Sequence, residues 1–136
     1  MMILVDTSVL IDFLRGINNV KTAIFDAILV RDIPFGISAY TYQELLQGAR
    51  DEREFRRLRD YLGTQVIYCL PEGRETHEKV ARLFFTLRRA GITVRSSIDM
   101  LIAFTAMENN LFLLHNDRDF DAIAKKTSAL KILNSL

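Results

Sequence analysis

The chain has 136 residues, enough for one domain that buries roughly two-thirds of its unfolded surface. Its 49% apolar and 26% charged residues exclude a disordered or fibrous polypeptide. A formal net charge of +1 excludes a polycation, so any grip on nucleic-acid phosphates has to come from a local basic face and metal ions.

Thirteen Arg stand against five Lys, a skew that leans toward phosphate contact because guanidinium presents a planar fork. Cys69 is the only cysteine, so no internal disulfide can form. It reads as a small buried residue on the strand-like 66–70 run. The opening apolar run stops at Asp6, too early for a signal peptide. The apolar stretch 100–107 is broken by Thr105 and falls far short of the ~18 residues of a membrane span. A soluble cytoplasmic protein without membrane attachment is expected, with residues 1–136 as one domain.

In chain order, residues 2–5 read as a short buried parallel strand. Asp6-Thr7-Ser8 supplies helix-start residues, and Val9, Leu10, Phe13 and Leu14 recur at helical spacing until Gly16. A second helix is predicted over 19–30, and a strand over 35–38 after Pro34. Helical patterns follow over 40–49 and 52–62, the second highly charged, then a β-rich run over 65–70. A long helix is expected over 75–89, stopped by Gly91, with a strand stub at 92–94. Ser97 reads as the cap of a helix through Asn109. A strand over 111–114, a helix over 117–126 and a last strand over 131–133 complete the chain. Strands alternating with helices predict an α/β fold with a mainly parallel sheet and helices on both faces. In such sheets, polar groups just beyond the carboxyl ends of strands gather in one crevice.

That rule gives the acidic residues their interest. Asp6 directly follows the first strand, as a hard-oxygen metal ligand or as the N-cap of the next helix. Asp117, Asp119 and Asp121 crowd one segment after the 111–114 strand, and crowded carboxylates are relieved by a divalent cation. Glu44 shares a helix face with Thr41 and Gly48, small or polar company that leaves room for something to approach; the competing reading is a solvated Glu. Asp99 lies in the first turn of its helix, where it complements the dipole, and periodicity alone does not bring it to Asp6.

Four segments in order carry a resemblance. Asp6-Thr7-Ser8-Val9-Leu10-Ile11-Asp12, Thr41-x-x-Glu44-Leu45-x-x-Gly48, Asp99-x-x-Ile102-Ala103-x-Thr105-Ala106 and Leu113-Leu114-His115-Asn116-Asp117-Arg118-Asp119-Phe120 together resemble the motifs of the PIN-domain family, most closely its VapC-type toxins. The resemblance implies a three-layer α/β/α sandwich with a mainly parallel central sheet. It also implies a metal site of Asp6, Glu44, Asp99 and Asp117 or Asp119, with Thr7 and Asn116 as polar helpers that position water or phosphate. The implied activity is endoribonuclease cleavage of RNA by metal-activated water, with Mg²⁺ as cofactor and Mn²⁺ as substitute. Implied partners are an RNA substrate, a VapB-type antitoxin placing a segment in the acidic cleft, and a second copy in a homodimer. His115 stands where the family has Thr or Ser, and reads as a packed or hydrogen-bonded strand-end residue rather than a base.

Among the basic residues, Arg50, Arg53, Arg56, Arg57 and Arg59 alternate with acids and read as a solvated helix with i,i+4 ion pairs. Arg15, Arg82, Arg88, Arg89 and Arg95 are the candidates for RNA contact. A haloacid-dehalogenase-type phosphatase would need an acid two residues after Asp6, where Ser8 stands. The rival uses of the same fold are an RNA-processing nuclease without an antitoxin and a non-catalytic RNA-binding module. The second predicts a missing carboxylate, and none is missing.

Overall fold

The computed structural model describes residues 2–136. In chain order it contains β1 (Ile3–Val5), α1 (Thr7–Leu14), α2 (Val20–Val30), β2 (Gly36–Ser38), α3 (Ala39–Gln47), α4 (Glu52–Leu62), β3 (Val66–Tyr68), α5 (Arg74–Arg89), α6 (Ser97–Glu108), β4 (Phe112–Leu114), α7 (Arg118–Lys126) and β5 (Lys131–Ile132). The strands form one sheet in the order β3-β2-β1-β4-β5, and every pairing is parallel.

The pleat of the central strand divides the core. Ile3 and Val5 point to one face, where they join Val9 and Leu10 of α1, Phe25 and Ile28 of α2, Leu45 of α3 and Leu62 of α4. Leu4 points to the other, with Leu87 of α5, Met100, Ile102, Ala103 and Ala106 of α6, and Phe120 and Ile123 of α7. Helices therefore cover both faces, giving three layers. α6 is apolar almost all round because it is buried on nearly every side.

Three sequence expectations are corrected, the first being that Ser96, and not Ser97, caps α6. Residues 92–94 form no strand. Gly91 takes a left-handed φ of 85°, Ile92 N–H donates to Leu87 O at 2.9 Å and Gly91 N–H to Arg88 O at 3.0 Å. This closure turns the chain off the end of α5 and commits the amide that a strand would need. Val94 is then pinned as a core residue on an irregular segment. Cys69 is exposed, because it lies just past β3, an edge strand whose Val66 is also exposed.

At Gly36 the neighbouring strand β3 leaves no room for a side chain on β2. A Cβ there would collide with the Tyr68 ring and lie 2.8 Å from the Val66 carbonyl oxygen. The ring can swing aside, but the backbone oxygen can retreat only by loosening the β2–β3 ladder. Gly36→Ala is expected to cost about 1–3 kcal/mol, read as a lowered denaturation midpoint with an unchanged slope. An unchanged midpoint would show that the ladder yields freely.

Candidate metal centre

The chain leaves β1 toward β2 and β3, then returns to place β4 on the other side of β1. The helices after these adjacent strands, α1 and α7, consequently pack on opposite faces of the sheet. Between their N-termini a crevice opens beyond the carboxyl ends of β1 and β4.

Asp6 sits at the floor of that crevice. Its backbone N–H donates to Leu114 O at 2.9 Å, extending the ladder by one step. Its Oδ2 accepts from Ser8 N–H at 3.0 Å and from Ser8 Oγ–H at 2.6 Å, so it does cap α1. The cap uses one oxygen only. Oδ1 is buried with no hydrogen-bond partner in a residue that is 3% exposed. Burial, with a further push from Glu44, holds this carboxyl above its ordinary value despite the Ser8 bonds. A buried carboxylate oxygen without a partner is a hard donor that fits a cation.

Glu44 reaches the hollow from α3. Its Oε1 accepts from Thr7 Oγ–H at 2.8 Å. Thr7 Oγ1 lies 3.0 Å from Thr41 Oγ1, which is 3.2 Å from Ser38 Oγ, and all three hydroxyl residues are buried. Thr41 continues a hydroxyl chain that aims the carboxylate, and Glu44 and Gly48 line an open groove, the room expected beside them. Glu44 remains exposed, as a solvated Glu would be, but its head is held in place.

Asp99 enters from the first turn of α6, half-buried, after Ser96 caps the helix through Asp99 N–H at 3.4 Å. One oxygen from each of Asp99, Asp117 and Asp119 falls within 4.8 Å of the others. Burial first, then the charges of Asp6, Asp117, Glu44 and Asp119, push the Asp99 carboxyl up to about 7. That roll of repelling neighbours contains every carboxylate proposed from the sequence. Residues far apart in the chain share one negatively charged hollow.

The fourth segment is held by side chains that the sequence reading did not single out. Asp117 caps α7 by accepting from Asp119 N–H at 2.9 Å. Its own N–H donates to His115 Nδ1 at 3.0 Å, so the imidazole proton belongs on Nε2, facing Asp121 Oδ1 at 3.2 Å. His115 is buried, and burial lowers its pKa. It is the packed, hydrogen-bonded strand-end residue expected, and it draws Asp121 to itself. Ser8 Oγ, besides serving Asp6, accepts from Asn116 N–H at 3.0 Å. Asp12 accepts from the amides of Asn116 at 3.1 Å and Asn19 at 3.2 Å. Asn116 therefore ties the β4–α7 loop to α1. The signal for Ser8 was its place two residues after a capping Asp, where its hydroxyl can fold back on the carboxylate.

Of the arginine candidates, Arg95 lies in the hollow, with Nε 3.2 Å from Asp119 Oδ2 and Nη2 3.7 Å from Asp117 Oδ1. Arg15 lines a groove that also includes Glu44. Arg82 and Arg89 both lie 5.6 Å from the centroid of the exposed Phe85 ring, and Arg88 5.7 Å from that of Phe84, on the outer side of α5. On α4, Arg50–Glu54 and Arg56–Glu52 form the expected i,i+4 pairs.

Hard carboxylate oxygens, one of them buried without a partner, fit Mg²⁺ or Mn²⁺ and suit softer ions poorly. An all-parallel α/β/α sandwich with a cluster of carboxylates at its switch point defines the class: an α/β domain with an acidic site. The PIN domain family model matches residues 3–126, and the chain belongs to that family. Ribonuclease VapC11 of Mycobacterium tuberculosis is 29% identical over 132 residues, 93% of this chain and 95% of that protein. Among solved structures, a chain of VapBC-1 from nontypeable Haemophilus influenzae is similar with a TM-score of 0.72 at 20% identity, covering 98% of each. A chain of a toxin-antitoxin complex from Klebsiella pneumoniae gives 0.59 at 25% identity, covering 86% of this chain and 88% of that one.

Proposed function

We propose that this protein is an Mg²⁺-dependent endoribonuclease acting as the toxin of a toxin–antitoxin pair. The observation that carries the reading is the cluster of Asp99, Asp117 and Asp119, whose oxygens lie within 4.8 Å of one another, with the charges of Asp6 and Glu44 also acting on Asp99 and with Asp6 Oδ1 unpartnered. The ribonuclease and toxin–antitoxin relatives of similar length and fold support the substrate class and the biological setting.

Asp6, Glu44, Asp99 and Asp117 or Asp119 would hold the ion. When bound, Mg²⁺ supplies acidified water and neutralises charge on the scissile phosphate. The chain's own residues do the positioning. The Thr41–Thr7 hydroxyl pair aims Glu44, Ser8 fixes one oxygen of Asp6 and leaves the other free, and His115 holds Asp117 through its backbone. Thr7 and Asn116 frame the hollow from α1 and from the β4–α7 loop.

Among partners we place RNA, a VapB-type antitoxin and a second copy in a homodimer, in the cytoplasm. A groove of about 880 Å³ between α1, α3 and α4 includes Glu44, and joins Ile11, Leu14, Leu45 and Leu58 to the guanidinium groups of Arg15, Arg53 and Arg57. Glu44, Asp51 and Glu54 also line it beside Arg15, Arg50, Arg53 and Arg57, and a mixed apolar and charged lining suits an amphipathic segment of a partner such as an antitoxin arm. Among the described residues, no helix is long and apolar enough to cross a membrane.

Chelation is the direct test. EDTA is expected to stop cleavage of a fluorescent RNA by the purified protein, and added Mg²⁺ or Mn²⁺ to restore it. Cleavage that survives thorough chelation would overturn the metal-dependent reading.

A further inference from the structure

The acidic hollow contains a cation of its own. Asp119 Oδ2 accepts from Arg95 at two points, the backbone N–H at 3.4 Å and Nε–H at 3.2 Å. The third contact, Nη2 to Asp117 Oδ1, spans 3.7 Å, a Coulombic approach too long for a hydrogen bond. The grip is therefore uneven. Asp119 is held by the main chain as well as the guanidinium, and its side chain is only 12% exposed. Arg95 is 63% exposed, so its hold on Asp117 is well screened and easily exchanged.

These contacts divide the labour within the fourth segment. Asp119 Oδ2 is engaged twice, and freeing it would require the backbone at Arg95 to move. Asp117 Oδ1 keeps the α7 cap from Asp119 N–H at 2.9 Å and gives up the long ion pair, while its Oδ2 has no partner among the described contacts. A divalent ion carries twice the charge of the guanidinium and can draw on Asp99, which Arg95 does not touch among the described contacts. Once Asp117 turns to the ion, the guanidinium keeps its tether and has donors free at the mouth of the hollow. A planar fork with free N–H groups beside a metal-held phosphodiester is suited to a second phosphate oxygen.

We propose that Asp119 is the anchor of Arg95 rather than a metal ligand, and that Arg95 is a tethered counter-cation that yields Asp117 to the divalent ion and then grips the RNA phosphate. The phosphate half of this assignment rests on the nuclease reading; the ion-exchange half does not.

The test pairs Mn²⁺ titration by calorimetry, in the absence of RNA, with steady-state cleavage of an RNA oligonucleotide. Arg95→Gln removes a competing charge and is expected to tighten Mn²⁺ binding about threefold to fivefold. The same variant is expected to raise KM for RNA roughly tenfold with kcat within about twofold of wild type. A merely structural role would weaken both, so looser Mn²⁺ binding or an unchanged KM overturns the proposal. Arg95→Lys keeps the charge without the fork, and is expected to bind Mn²⁺ as wild type does while still raising KM. It carries the test if the Gln variant fails to fold. Asp119→Asn is expected to retain Mn²⁺ affinity within about threefold, since a neutral Asn still accepts from the Arg95 backbone. An Asp119→Asn protein that loses Mn²⁺ as fully as Asp99→Asn makes Asp119 a ligand and defeats the proposal. If the wild-type protein cuts no RNA, the nuclease reading fails, and the calorimetric results still decide the ion exchange.

Discussion

Asp6→Asn is expected to abolish RNA cleavage while the protein stays folded. Among the described residues, Asp6 offers the one buried carboxylate oxygen without a partner. Removing its charge removes the ligand closest to the sheet, and a bound metal supplies several kcal/mol to phosphodiester hydrolysis. The expected loss in kcat is roughly three powers of ten or more. Asn is the informative substitution because it caps a helix about as well as Asp, so Ser8 N–H keeps its acceptor and α1 its start. Ala would remove the cap as well, at about 1 kcal/mol, and confuse the outcome. The check is single-turnover cleavage alongside a thermal melt. Wild-type cutting by a well-folded Asp6→Asn protein would remove Asp6 from the site.

Asp99→Asn is expected to do two opposite things. It removes Mg²⁺ binding, and it stabilises the metal-free protein at neutral pH. The Asp99 carboxyl is pushed up to about 7 from an ordinary 3.8, first by burial and then by four neighbouring carboxylates. Between those two values the folded state holds a proton that the unfolded chain has released. Stability of the metal-free protein therefore declines as pH rises from about 4 to about 7, and is flat above that. Asn stays neutral throughout, so this decline should vanish in the variant. At pH 8 the variant is expected to be more stable by roughly 1–2 kcal/mol, allowing for the solvent screening of a half-exposed group. The wild-type protein should also bind Mg²⁺ more weakly as pH falls below 7, since the ion must displace the Asp99 proton. Urea denaturation of both proteins in EDTA, at several values between pH 5 and pH 8, measures the first effect. Parallel pH profiles for the two proteins would contradict the crowding of charge on which the site assignment depends.

Local pattern carried the secondary structure far. Short apolar runs became β1, β2, β3, β4 and β5, and amphipathic spacing located all seven helices to within a residue or two. Where pattern misled, a longer-range constraint took over. The apolar run at 92–94 satisfied strand chemistry locally, yet the Gly91 closure of α5 redirected it, and Val94 is buried without a ladder. Cys69 followed a β-rich run, but only the sheet order reveals that β3 is an edge whose end faces solvent.

The same division runs through the site. Asp6, Asp117 and Asp119 were legible because they follow β1 and β4, and the rule for parallel sheets sends such positions to one edge. Glu44 and Asp99 were legible only through the resemblance to the PIN-domain motifs. No strand precedes Asp99, and its approach to Asp6 is set by how the buried helix α6 packs under the sheet. Two readings competed for Asp6, cap and ligand, and both describe it, one through each carboxylate oxygen.

By itself the sequence determined an alternating α/β chain with its acidic residues at strand ends, because turn, cap and periodicity signals act within a few residues. Only the tertiary structure decided which carboxylates face one another, which oxygen of Asp6 lacks a partner, and that Arg95 is bound to Asp119. Those facts depend on side chains from distant segments competing for the same few ångströms, and the energies that settle the competition, burial and mutual repulsion, exist only once the layers have closed.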